Sequence, residues 1–148
     1  MNFECFVFDE FGIDGGQRKI IDNVVQEIFK AQTFNRLLKS EKIKNVEFSL
    51  VLVENQKAKI LNNNFRNKNK IPDILSFPFN EQDKNKTILG DIIITPSEIK
   101  KNYKNIQSGY QKLLIHGLLH LLGFDHVKNA DFKKMNSLET NIFQELNN

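Results

Sequence analysis

The sequence predicts an α/β fold of four strands and about five helices, and three observations predict it. Short apolar runs with strand-like alternation are interleaved with stretches whose apolar residues recur at three and four positions. The β-branched run at residues 88–94 stops at Thr95-Pro96-Ser97-Glu98, a helix-start signal. All three histidines lie within eleven residues of one strongly apolar helical segment. At 148 residues, 40% hydrophobic and 26% charged, the chain has the size and material of a single packed domain, residues 1–148.

In chain order, residues 3–8 are rich in aromatics and bounded by Asp9 and a turn-like stretch at 12–16, which makes them a first strand. From residue 17 to about 38, Ile21, Val24, Val25, Ile28, Phe29, Phe34, Leu37 and Leu38 form one helical stripe. Residues 46–53 alternate through Val46, Phe48, Leu50 and Leu52 before turning continuously apolar, as a strand does when both faces are partly covered. Helical spacing returns over 57–65, where the Asn62-Asn63-Asn64 run is expected to fray or turn. Residues 74–77, between Pro72 and Pro78, fit only an edge or short strand. The polar, lysine-rich residues 80–86 are expected to be a mobile loop. After strand 88–94, Thr95 caps a helix with Pro96 in its first turn and Glu98 closing a capping box. That helix is expected to break near Ser108-Gly109, and another runs from about 110 to 122, where Gly123 ends it. Phe132, Met135, Leu138, Ile142, Phe143 and Leu146 make the stripe of a last helix.

Composition excludes several classes of function. No apolar run approaches the ~20 residues of a membrane helix, so no membrane association is expected. The N-terminus lacks a basic leader, which points to the cytoplasm. Cys5 is the only cysteine, so there is no internal disulfide, cysteine zinc ribbon or redox pair, and it is expected to be a small core hydrophobe. The net charge of +3 does not announce a nucleic-acid binder, but its distribution is uneven. Residues 56–72 hold five basic side chains, Lys57, Lys59, Arg66, Lys68 and Lys70, and no acidic one. They are either a solvated helix face with its loop or a surface that meets phosphates.

The histidines carry the chemistry. His116 and His120 are one helical turn apart and share a face, and Gly123 permits a turn after which His126 can return to the same point. Three neutral imidazoles with a fourth position open are the pattern of catalytic zinc, although nickel, iron and copper also accept imidazole. The spacing resembles the zinc-protease motif H-E-x-x-H-x-x-G-x-x-H. Gly117 stands where that motif has its general-base glutamate, which argues against a peptidase of that mechanism. Asp125 is open to three roles: a replacement base, a partner that orients a metal ligand, or a residue that stabilises the turn.

Residues 116–126, HGLLHLLGFDH, resemble the signature H-G-x-x-H-L-x-G-y-D-H of the bacterial endoribonuclease YbeY family, also described as rRNA maturation factors. Three further blocks agree in order: residues 61–66 (LNNNFR), 73–78 (DILSFP) and 89–94 (LGDIII), so the resemblance spans about residue 46 to the end. Pro72 departs from the family's usual threonine, and the loop at 81–86 is shorter than in many members.

The resemblance implies a compact α/β (α+β) domain with a small mixed four-stranded sheet. It further implies a zincin-like site in which His116, His120 and His126 hold one zinc ion. The implied activity is cleavage of single-stranded RNA in maturation of the 3′ end of small-subunit rRNA and in ribosome quality control. The implied partners are RNA and the ribosome or its small subunit, with no DNA expected. Arg66 and His116 are then placed at the reacting centre, Arg66 holding a phosphate oxygen through two parallel hydrogen bonds. A metal ion of this kind lowers the pKa of a bound water towards ~7 and stabilises charge on the phosphate. Attack by water and attack by the RNA's own 2′-hydroxyl are both open. Lys68, Lys70 and other lysines would supply salt-sensitive phosphate contacts. Two further readings remain: a metal-stabilised ribosome assembly factor that binds rRNA or a ribosomal protein with little cleavage, and a cytoplasmic metallohydrolase acting on a small substrate.

Overall fold

The computed structural model describes residues 2–125 and 129–148. In chain order its elements are β1 (Asn2–Asp9), α1 (Gly15–Lys30), α2 (Gln32–Ser40), β2 (Asn45–Leu52), α3 (Asn55–Arg66), β3 (Ile74–Asp83), β4 (Lys86–Ile94), α4 (Pro96–Asn102), α5 (Ile106–Leu121) and α6 (Asn129–Leu146). Among the described residues the strands form one mixed sheet in the order β1-β2-β4-β3. β1, β2 and β4 are parallel, and β3 pairs antiparallel with β4 at the edge. The core lies where Val46, Phe48, Leu50 and Leu52 of β2 meet the apolar stripe of α1 and the buried leucines of α5. Phe29 of α1 stacks on both Phe3 and Phe48, which ties α1 across the first two strands. No helix among the described residues is long and apolar enough to cross a membrane. Cys5 is partly buried, and burial above all pushes its thiol pKa up to about 12, as befits a side chain that packs rather than reacts.

Several expectations are corrected. The stripe read as one helix over 17–38 is two, because the chain turns extended at Ala31 (φ −64°, ψ 133°). The Asn35 side chain there donates to the carbonyls of Phe29 and Ala31, and the Glu145 carboxylate of α6 accepts from the backbone N–H groups of Gln32 and Thr33. Side chains thus satisfy groups that a continuous helix would have paired within itself. The asparagine run does not fray, since α3 continues through it and Asn62 is buried.

Residues 80–86 are not a loop. β3 runs to Asp83, Lys84 and Asn85 turn the chain with Lys84 at φ 57°, and Asp83 pairs with Lys86. This arm of the hairpin is polar because it forms the exposed edge of the sheet, so its pairing leaves no apolar signature. Pro78 sits at a register shift on that edge, where a missing N–H is tolerated.

The break after α4 comes at residues 103–105, and Asn105 caps α5 by accepting from the N–H of Ser108. Gly109 lies inside α5; a Cβ there would stand 2.8 Å from the Tyr103 ring, so the glycine serves close packing rather than a stop. Thr95 does cap α4, but its side chain makes no capping bond and its hydroxyl is buried without a partner among the described residues, so the expected capping box is not formed.

Candidate functional site

α5 is apolar on nearly every face because it is packed between the sheet and its neighbouring helices, and its last turns carry two half-buried histidines. The helix ends as Gly123 dictates. At φ 100° this residue donates to the carbonyl of His120 while Phe124 N–H reaches back to Leu119, a Schellman motif. The same turn presents the Phe124 carbonyl to His120 Nδ1 at 2.8 Å. His116 Nδ1 lies 3.1 Å from Oε2 of Glu139 on α6.

Both Nδ1 atoms therefore face acceptors and carry the proton, which leaves a lone pair on each Nε2. The two Nε2 atoms stand 3.0 Å apart. Two imidazole nitrogens at that separation are held by a shared proton or, with both rings neutral, by a metal ion between them, and the donor set fits a metal ion that accepts neutral imidazole. A carboxylate behind one ring and a backbone carbonyl behind the other are the supports that metal-ligating histidines ordinarily have.

Gly117 explains how the two rings reach this place. A Cβ there would lie 2.9 Å from Ile74 Cδ1 and 3.1 Å from Ile92 Cδ1. The position that holds a glutamate in the zinc-protease motif here faces the sheet, and a side chain there would have to displace the ends of Ile74 and Ile92 for α5 to lie as close to β3 and β4.

The histidines line a cleft of about 720 Å³. One wall is β3, from Ile74 to Pro78; the end of α3 contributes Phe65 and Arg66, and the turn after α5 contributes Gly123, Phe124 and Asp125. Arg66 is the final residue of α3, which Asn67 terminates in the left-handed conformation at φ 54°. The structure thus brings Arg66, His116, His120 and Asp125 into one cavity. Lys68 and Lys70 are exposed on the segment that follows α3 and are not among the residues lining the cleft. That segment is fastened by Asn62, whose side-chain amide donates to the Lys70 carbonyl at 2.9 Å. His126 lies outside the described residues.

Sequence reasoning missed Glu139. Its one signal is that it stands a helical turn after Met135, between Leu138 and Ile142, so a carboxylate falls beside the buried stripe of α6. It also missed Asn62, whose burial inside an otherwise polar run only the fold reveals.

The family model described as Endoribonuclease YbeY matches residues 13–147, well beyond the blocks visible by eye. The chain is 37% identical over 139 residues to the endoribonuclease YbeY of Thermodesulfovibrio yellowstonii, with 87% of each chain covered. It is 44% identical over 108 residues to the protein of the same name from Pelagibacter ubique, with 68% of this chain and 70% of that one covered. A Thermotoga maritima protein solved in solution superposes with a TM-score of 0.62 over 97% of this chain and 89% of that one, and at 24% identity this likeness speaks to the fold.

Proposed function

Because the chain belongs to the endoribonuclease YbeY family, we propose that it is a metal-dependent endoribonuclease that cuts single-stranded RNA. In this reading its substrate is small-subunit rRNA, matured at its 3′ end and checked on the ribosome in the cytoplasm. One observation carries the reading: two imidazole Nε2 atoms 3.0 Å apart in a cleft that Arg66 also lines.

His116 and His120 would hold the ion, zinc being the first expectation, with His126 proposed as third ligand. When bound, the ion supplies Lewis acidity for phosphodiester cleavage. The chain's own residues do the rest. Glu139 and the Phe124 carbonyl keep the two rings turned with Nε2 towards the cleft. Arg66 binds the scissile phosphate, its planar guanidinium offering paired donors that lysine lacks. Lys68 and Lys70 would meet phosphates of the flanking strand outside the cleft. Asp125, exposed among the residues that line the cleft, is the candidate to take a proton from either an attacking water or a 2′-hydroxyl. End groups tell the two nucleophiles apart, since a 2′,3′-cyclic phosphate product would sink direct hydrolysis by water. The assembly-factor reading without cleavage is not favoured, because the relatives that cover most of this chain are named as endoribonucleases.

The test is cleavage of a labelled single-stranded RNA by wild-type protein of measured metal content, beside His120→Ala and Arg66→Ala prepared in parallel. We expect His120→Ala to lose metal and cleavage together, and Arg66→Ala to keep the metal and lose cleavage. Equal cleavage by all three preparations would assign the activity to a contaminant and overturn the reading.

A further inference from the structure

Resting on the reading that the cleft takes RNA, we infer that Phe65 is a stacking platform for one nucleobase and selects single strands. Phe65 is 66% exposed, more than any other large hydrophobic side chain among the described residues. A lone exposed apolar residue is ordinary; the surroundings of this one are not. It lines the same cleft as the two histidines and directly precedes Arg66 in the chain. Its ring meets Phe77 edge to face, with centroids 5.3 Å apart and planes at 73°. That contact orients the Phe65 ring while leaving most of its surface to solvent.

A guanidinium that binds a phosphate and an oriented, solvent-facing ring on the neighbouring residue match the two halves of a nucleotide. The ring contributes nothing to the core in this position, and an unstacked base offers the flat apolar partner that would cover it. Every base has such a face, so the contact would be indifferent to sequence. In a duplex both faces of a base are already covered by its neighbours, which leaves none for Phe65.

The chain contains no tryptophan, so Phe65→Trp creates a single emitter at the proposed contact. The metal-loaded protein is mixed by stopped flow with a single-stranded oligoribonucleotide, or with the same oligomer annealed to its complement, and emission is read before products accumulate. We expect saturable quenching by the single strand and none by the duplex. Phe65→Leu should weaken single-strand affinity on the order of tenfold, leave metal content unchanged, and be rescued by Phe65→Tyr. Wild-type affinity in Phe65→Leu, or tryptophan emission unmoved at saturating RNA, would overturn the inference. The nuclease reading fails separately. If binding follows the expected pattern while no preparation cuts RNA, the platform stands and the nuclease does not; if Phe65→Leu cuts RNA with unchanged KM, the reverse holds.

Discussion

His116 and His120 are held by unlike partners. His120 is fixed locally, by the carbonyl four residues on, whereas His116 depends on a carboxylate from another helix. That difference decides which parts of the site a sequence can disclose. The two imidazoles are legible because their relation is a helical repeat, and the turn after them because Gly123 marks it. Glu139 is separated from His116 by 23 residues, and only the packing of α6 on α5 brings it close. Arg66 is intermediate: composition makes it one more surface base, the family resemblance singles it out, and the cleft gives it a place. Removing the Glu139 carboxylate should free the His116 ring to turn. Glu139→Ala is expected to weaken metal binding by about 10–100-fold, measured by competition with a chromophoric chelator. Glu139→Gln, which keeps an acceptor oxygen, should lose less, and unchanged affinity in both would remove Glu139 from the site.

α2 has no capping side chain of its own; Ala31 precedes it, and its first N–H groups are satisfied by Glu145. Periodicity could not reveal the division of α1 from α2, because Phe29 and Phe34 continue one buried stripe across it. The hairpin of β3 and β4 escaped for the opposite reason, since its polar edge carries no stripe at all. Such features are fixed by which groups find partners across the molecule, while helix starts and stops such as Asn105 and Gly123 are written locally. Loss of the borrowed cap in Glu145→Ala should cost about 1 kcal/mol of stability, read from denaturant midpoints. Burial alone would raise the Glu145 pKa, but hydrogen bonds from Thr33 and Gln32 and the nearby Arg36 charge together hold it below its ordinary 4.5. A carboxylate with a lowered folded-state pKa stabilises above its unfolded value and loses that contribution as pH falls through the folded one. The stability gap between wild type and Glu145→Gln should therefore be full at neutral pH and shrink in acid below about pH 4.5, and a gap that stays constant would deny the charge its part.

At the scale of the whole molecule, the cleft exists only where three parts meet: the edge strand β3, the end of α3 and the last turns of α5. A ligand that binds this folded arrangement and not the open chain stabilises the fold by mass action. Chelation is expected to lower the melting temperature, and restoring zinc to recover it, with His120→Ala insensitive to both. Equal melting curves with and without chelator would detach the ion from the fold. Glu139 and Glu145 both belong to α6, while the groups they serve stand far earlier in the chain. During synthesis, α2 leaves the ribosome with its first turn uncapped and His116 leaves with its ring unsteered, and both wait for one late helix. A nascent chain stalled before residue 139 would carry its imidazoles without the brace that aims one of them. A catalyst built this way comes of age only after its last-made helix has joined the helices made before it.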